Sequence, residues 1–352
     1  MVLSLLFSGA VCFVFSHIES PVYVELGNGI QVVIQKVPEA KFSSAHIFVR
    51  GGSVFETKQT HGIHHLIEHL VFRSLDNSEQ GSIDKRVEQN GCIVTGTTNR
   101  EFIHYKLEGE NEGVQKSLPD FLHILDDLKI GVNILQNEIG IIEQEIAYLQ
   151  ANVERRVDDS AWSIFFQDNS WGLNTYGDVA QMRKWTIEEI QSAHKKHYSG
   201  SNIVFSISGN FNPDEILNIV KTRLEKISKG DIVSFPDFPI LEEDIQHASI
   251  KTPSTSFILG LIAPGINNEK KYLAYRVVFQ YLSGNYGFAS RNNVDLRASF
   301  GVSRNGSLAV FSTYSLPIST NADPLMDLFN HLMNAGIPQD SLINIKNALK
   351  NQ

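Results

Sequence analysis

The chain has 352 residues, enough for about two domains. Hydrophobic residues make up 42% and charged residues 20%, so sizeable cores can form and wholesale disorder is excluded. The net charge of −9 offers no basic face for a nucleic acid, and two cysteines, Cys12 and Cys92, exclude both a disulfide framework and a cysteine-based zinc site, which leaves histidines and carboxylates as metal ligands.

Residues 1–18 contain an apolar run from Val2 to Phe15, with Val14 and Ser16 at small-residue positions before a cleavage point. This resembles a secretory signal without a basic leader, and it is short for a membrane span. The expectation is export to a periplasmic or extracellular compartment, the alternative a soluble intracellular chain. Two β-rich runs over 22–35 flank Gly27-Asn28-Gly29, a hairpin signal. Ser43–Arg50 reads as a third strand, ended by Gly51-Gly52. Thr60 is placed to cap a helix running to about Phe72. Ile93–Thr98 and Glu101–Leu107 read as two more strands.

Helical patterns follow at 114–127, 133–152, 186–197 and 213–228, with a strand over Asn202–Ser208. Residues 229–246, with Gly230, Pro236, Pro239 and several acids, read as a linker. Beyond it come an apolar run at Phe257–Ile262, a helix over 269–283, a hairpin around Asn305-Gly306, and helices near 322–335 and 339–350. This order argues an α+β fold rather than alternating βαβ units. Domain 19–228 carries the chemistry, and 247–352 weakly repeats its order.

On a helix turning about 100° per residue, Ile63, Leu66, Ile67, Leu70 and Val71 form one apolar face. His65, Glu68, His69 and Phe72 fall on the opposite face. His65 and His69 are one turn apart, with Cβ atoms about 5–6 Å from each other. Two imidazoles at that separation can share a zinc ion. Glu68 projects beside them, in the H-x-x-E-H order of inverted zinc peptidases. Such a pattern alone is more often a solvated helix face. His61 and His65 are also four apart, but that pairing leaves no glutamate in the base position. For a third ligand, the helix at 133–152 offers Glu138, Glu143 and Glu145. Glu138 and Glu145 share one edge of the stripe Leu135, Ile139, Ile142, Ile146 and Leu149, and Glu143 lies on the other edge. Spacing does not choose among them.

Gly62, His65-x-x-Glu68-His69 and Glu138-x6-Glu145 together resemble the insulinase/pitrilysin family of zinc peptidases, which includes the mitochondrial processing peptidase. Glu145 lies 76 positions beyond His69 (145 − 69), the separation seen in that family. Leu26–Val33, Gly51–Glu56, Asn99-Arg100-Glu101 with Tyr105, Tyr176-Gly177, His197-Tyr198, Asn202 and Gly209-Asn210-Phe211 resemble further landmarks. The resemblance covers about 22–312. It implies two related α/β-sandwich halves, each an antiparallel-rich sheet packed against helices, the second half at 247–352 being incomplete.

The resemblance also implies one zinc ion per chain, held by His65, His69 and Glu145. Glu68 would be the general base toward an activated water, and Glu138 a supporting carboxylate. The strand at 93–98 would pair with an extended peptide or unfolded protein segment. Thr95 occupies the position where the family often has Asn. Arg297 fits the family's substrate-binding Arg, but position 304 is Arg where the family has Tyr. That departure and the short second half keep another expectation in view: a non-catalytic scaffold or peptide-binding subunit, or one chain of a two-chain peptidase, paired with a homologous chain or a second copy. Cys92, Trp162, Trp171 and Trp185 read as packing residues.

Overall fold

The tight hairpin signalled by Gly27-Asn28-Gly29 joins β1 (Val22–Glu25) to β2 (Gln31–Lys36), with Gly29 at φ 90°. A computed structural model of the protein describes residues 20–74, 82–239, 245–250, 256–283, 296–313, 334 and 336–350. The signal-like segment 1–18 and nearly all of the helix expected at 322–335 lie outside the described residues.

β3 (Phe42–Arg50) alternates strictly, with Ser43, Ala45, Ile47 and Val49 buried and the residues between them partly open. That period of two places one face of the sheet on the core. After β3 come α1 (Ile63–Val71), α2 (Ile83–Gln89), β4 (Ile93–Thr98), β5 (Phe102–Glu110), α3 (Asn111–Leu122), α4 (Val132–Ala151), α5 (Val153–Phe165), α6 (Val179–Met182), α7 (Ile187–His197), β6 (Ile203–Gly209) and α8 (Pro213–Leu224). The six strands lie in the order β1-β2-β6-β3-β5-β4; only β2 and β6 pair in parallel. A single apolar core joins the inward residues of these strands to α1, α3, α4 and α8. β4 is the terminal strand, so one of its edges is unpaired among the described residues.

The second sheet is antiparallel, in the order β7 (Ile245–Ile250), β8 (Ser256–Pro264), β10 (Gly306–Thr313), β9 (Arg297–Phe300). α9 (Glu269–Ser283) packs on it through Phe279 and Leu282, and α10 (Gln339–Lys350) packs on α9. The chain is thus α+β, built from two antiparallel-rich sheets packed against helices. β7 begins at Ile245, two residues inside the segment read as linker.

Sequence patterns missed three of the described helices: the single-turn α6, α2 and α5. α2 is a two-turn helix of mixed composition, too short to establish a periodicity. α5 starts with VERRVDD, which reads as polar loop, but Val157, Ala161, Trp162 and Phe165 lie on one face of it. That face packs with Trp171, Leu308 and Val310, so a helix from the first half covers the second sheet. The helix expected to start at a Thr60 cap starts instead at Gly62, and Thr60 bonds to Thr57. Gly62 is in the left-handed region at φ 98°, a conformation that costs glycine nothing. A Cβ there would stand 2.7 Å from the Cα of Gly177.

Candidate metal centre

α1 and α4 pack against each other and present their polar residues to a shared cleft. The helix faces follow the expected division: Leu66, Ile67, Leu70 and Val71 enter the core, and His65, Glu68 and His69 look across to α4. Phe72 does not stay with them; it packs on the core edge-on to Tyr105.

His65 Nε2 lies 3.7 Å and His69 Nε2 3.3 Å from the same oxygen, Glu145 Oε2. The three donor atoms lie within 4.8 Å of one another. Two donors on a tetrahedral zinc ion, each about 2.0–2.2 Å from it, stand about 3.4 Å apart. Two imidazoles, one carboxylate and these separations therefore fit zinc. Both rings are also aimed. His65 Nδ1 donates to the Tyr176 carbonyl at 3.0 Å, and His69 Nδ1 donates to Glu138 Oε2 at 3.3 Å. Each leaves Nε2 as the ring nitrogen that faces Glu145.

Glu138 is 5% exposed and its other oxygen accepts from Arg73 Nε at 3.2 Å. Arg73 in turn forks onto both oxygens of Asp84, at 2.9 Å each. Burial alone would raise the Glu138 pKa, but His69 and Arg73 outweigh it and hold the carboxyl below its usual range. The hydrogen bond from His69 does the same for Glu145. Burial would lower the His69 pKa, yet its bonds to Glu138 and Glu145 raise it to about 9. His65, sealed more deeply and beside a second imidazole, is shifted down.

Glu68 is set apart from the donor atoms. Its Oε2 is 4.0 Å from His65 Nε2 and accepts from Thr98 Oγ1 at 3.4 Å. Its carboxyl group lies against Gly96 on the edge strand, where a Cβ would come within 2.1 Å of Oε1. Burial pushes its pKa up to about 7, with His69 pulling the other way.

The remaining expected residues divide. Thr95 is exposed on β4 and, by the alternation of the strand, points away from the face on which Gly96 and Thr98 meet Glu68. Glu143 bonds to Arg183 at the surface and takes no part in the cluster. Arg297, on β9, is engaged by Glu154 at the start of α5. Arg304 donates its backbone N–H to Glu101 and sets its guanidinium 5.0 Å from the Phe235 ring centroid. Sequence reasoning missed the Tyr176 carbonyl, Thr98, Arg73 and Asp84. A carbonyl carries no residue signature, and Asp84 sits on the unassigned α2.

Residues 31–179 match the insulinase (peptidase family M16) profile, and residues 184–349 match the profile of the M16 inactive domain. Among curated proteins, the chain is 26% identical over 226 residues to the mitochondrial-processing peptidase subunit beta of Dictyostelium discoideum, covering 64% of this chain and 46% of that protein. It therefore spans less than half the length of that relative. It is 23% identical over 339 residues to an uncharacterized zinc protease of Rickettsia felis, covering 93% of this chain and 81% of that one. Among solved structures, a protease from Helicobacter pylori superposes with a TM-score of 0.77 at 20% identity, covering 94% and 84% of the two chains. With its two profiles in sequence and a fold shared with such structures, the chain belongs to the insulinase family of peptidases, family M16.

Proposed function

We propose that the protein is a zinc metalloendopeptidase acting on peptides or unfolded protein segments. One observation carries this reading: the donor atoms of His65, His69 and Glu145 converge from two helices, with the separate carboxyl group of Glu68 beside them. A zinc ion held there supplies a Lewis acid that polarises the scissile carbonyl and makes a water easier to deprotonate. Glu68 takes the proton from the attacking water and returns it to the leaving amine. Thr98 orients that carboxylate through its hydroxyl. Glu138 holds His69 with its lone pair toward the metal, and the Tyr176 carbonyl does the same for His65.

The edge of β4 that is unpaired among the described residues supports main-chain pairing with an extended peptide, because Gly96 and Thr98 bring that strand against Glu68. In this reading Thr95 and Arg297 contact the same peptide, Arg297 exchanging its partner Glu154 for it. Main-chain pairing tolerates many side chains, so specificity is broad.

A second reading is that this is one chain of a two-chain peptidase. Arg304 rests on Phe235 where the family has a Tyr, and the Dictyostelium relative is named as a beta subunit. A homologous partner would then supply the missing hydroxyl. The domain division 19–228, 229–246 and 247–352 belongs to the same proposal, as does export by the signal-like segment 1–18. No helix among the described residues is long and apolar enough to cross a membrane.

The test is cleavage of a quenched fluorogenic unfolded peptide with and without a chelator, on the chain alone and with any homologous partner chain. Zinc-restored cleavage supports the reading. Cleavage that survives exhaustive chelation, or zinc content by atomic absorption unchanged in His65→Ala and Glu145→Ala, refutes it.

A further inference from the structure

Glu56 lies six residues before Gly62, the N-cap of α1, and is only 4% exposed. A carboxylate buried so deeply needs donors on every side. Its donors are the beginning of the helix that carries His65 and His69. Gly62 N–H donates to Oε2 at 2.8 Å, and His64 N–H and His64 Nδ1–H both donate to Oε1 at 3.0 Å. Together they outweigh burial and keep the Glu56 pKa below its usual value.

The helix brings no anion of its own to that end. Its N-cap is Gly62, which has no side chain, and its first turn contains no acidic residue. The unpaired N–H groups and positive dipole end of a helix call for an acceptor and a negative charge. Glu56 provides both from outside the helix.

The segment that presents Glu56 is attached in turn to the end of the edge strand. Ser53 N–H donates to Asn99 O at 3.3 Å and Val54 N–H to Arg100 O at 3.0 Å. At Gly52 a Cβ would stand 2.1 Å from Asn99 O, so the two backbones touch. One short path therefore connects the turn after β4, Glu56 and the first turn of α1. A rotation of α1 by about 10° moves an atom about 8 Å from its axis by about 1.4 Å, against a metal-site tolerance of about 0.2 Å.

We propose that Glu56 is a positioning residue of the metal centre: an anionic clamp that sets the rotation of the metal-binding helix and locks it to the peptide-binding edge strand. This rests on the reading that His65, His69 and Glu145 hold zinc. Glu56→Gln keeps one oxygen but turns an amide toward a backbone N–H, and Glu56→Asp keeps the charge but cannot reach both donors.

The experiment measures zinc affinity of the full chain by competition with a chromogenic chelator, and the visible absorption of the cobalt-loaded protein. The variants are Glu56→Gln, Glu56→Asp and, as a stability control, Ile216→Ala. Ile216 is 1% exposed on α8, which packs on α3 and β2. Glu56→Gln is expected to lose about 10–100-fold in zinc affinity with an altered cobalt spectrum and unchanged far-UV circular dichroism, its kcat falling more than its KM rises. Glu56→Asp is expected to fall between it and the parent, and decides the matter if Glu56→Gln does not fold. Ile216→Ala is expected to melt earlier yet bind zinc within twofold of the parent. Parental affinity and spectrum in the folded Glu56 variants overturn the proposal, as does an equal loss of affinity in Ile216→Ala. If the parent chain binds no zinc, the metallopeptidase reading itself fails, and this result is distinct from the other two.

Discussion

His69 and Glu138 are joined by a hydrogen bond of 3.3 Å from ring Nδ1 to carboxylate oxygen, and the same ring turns its Nε2 to Glu145 Oε2, also 3.3 Å away. One imidazole is thus held between two carboxylates seven positions apart on α4. With zinc held as proposed, the first glutamate of the pair would orient the ring and the second would join that ring at the metal.

Replacing Glu138 with Gln tests that division. The amide still reaches His69 and Arg73 but carries no charge and offers one acceptor instead of two. Zinc affinity should fall about 10–100-fold while the metal remains bindable. Chelator competition measures it. Affinity equal to the parent would mean that Glu138 serves the Arg73–Asp84 pair alone.

Glu68→Gln separates base from ligand. Its oxygens stand outside the donor cluster, so the variant should bind zinc like the parent. Cleavage should fall by about 100-fold or more, the scale of general-base catalysis. The paired measurements are zinc content and initial rate. A variant retaining near-parental rate would remove Glu68 from the chemistry.

Gly62→Ala probes the backbone contact beneath the site. The residue is at φ 98°, and its new methyl group would stand 2.5 Å from Met182 Cε and 2.7 Å from the Gly177 Cα. The left-handed backbone costs about 1–3 kcal/mol for a residue with a side chain. The clash also displaces the loop whose Tyr176 carbonyl aims His65. Both the urea midpoint and zinc affinity should drop. An unchanged midpoint would show that α1 and the 176–178 loop can separate freely.

His194 gives the pH dependence. It is 3% exposed, stacked on Tyr198 at 4.2 Å between centroids, and its buried Nε2 has no partner among the described residues. Burial pushes its pKa down to about 3. As pH falls below about 6.5, the unfolded chain takes up this proton and the folded chain does not. Stability is therefore lost on acidification between about 6.5 and 3, and is insensitive to this group above that window. In His194→Phe, the stability relative to the parent should improve by about 1.4 kcal/mol per pH unit from about pH 6 to 4. Urea titrations at several pH values measure it; a constant difference would show that His194 is protonated without penalty in the fold.

Much of this arrangement was legible in the chain. The apolar stripe at Ile63, Leu66, Ile67, Leu70 and Val71 required a core-facing helix, and the histidines then had to share its other face. β3 and the β1–β2 hairpin followed from alternation and Gly27-Asn28-Gly29. The helix at 132–151 followed from its own stripe, but that stripe could not separate Glu138, Glu143 and Glu145. α5 escaped because its first turns are charged, and because Leu308, which helps bury Trp162 and Phe165, lies on β10, 146 residues beyond Trp162 (308 − 162).

The sequence by itself determined which residue types stand one turn apart on a helix, because a 3.6-residue period is a local property of the backbone. It did not determine which acid from a distant helix meets them, or that Glu56 lies against the start of α1. Those depend on how α1 packs on α4 and on the contact between Gly62 and Gly177. Only the tertiary structure decided them, since distances between remote segments are set by the burial of shared apolar faces rather than by spacing along the chain.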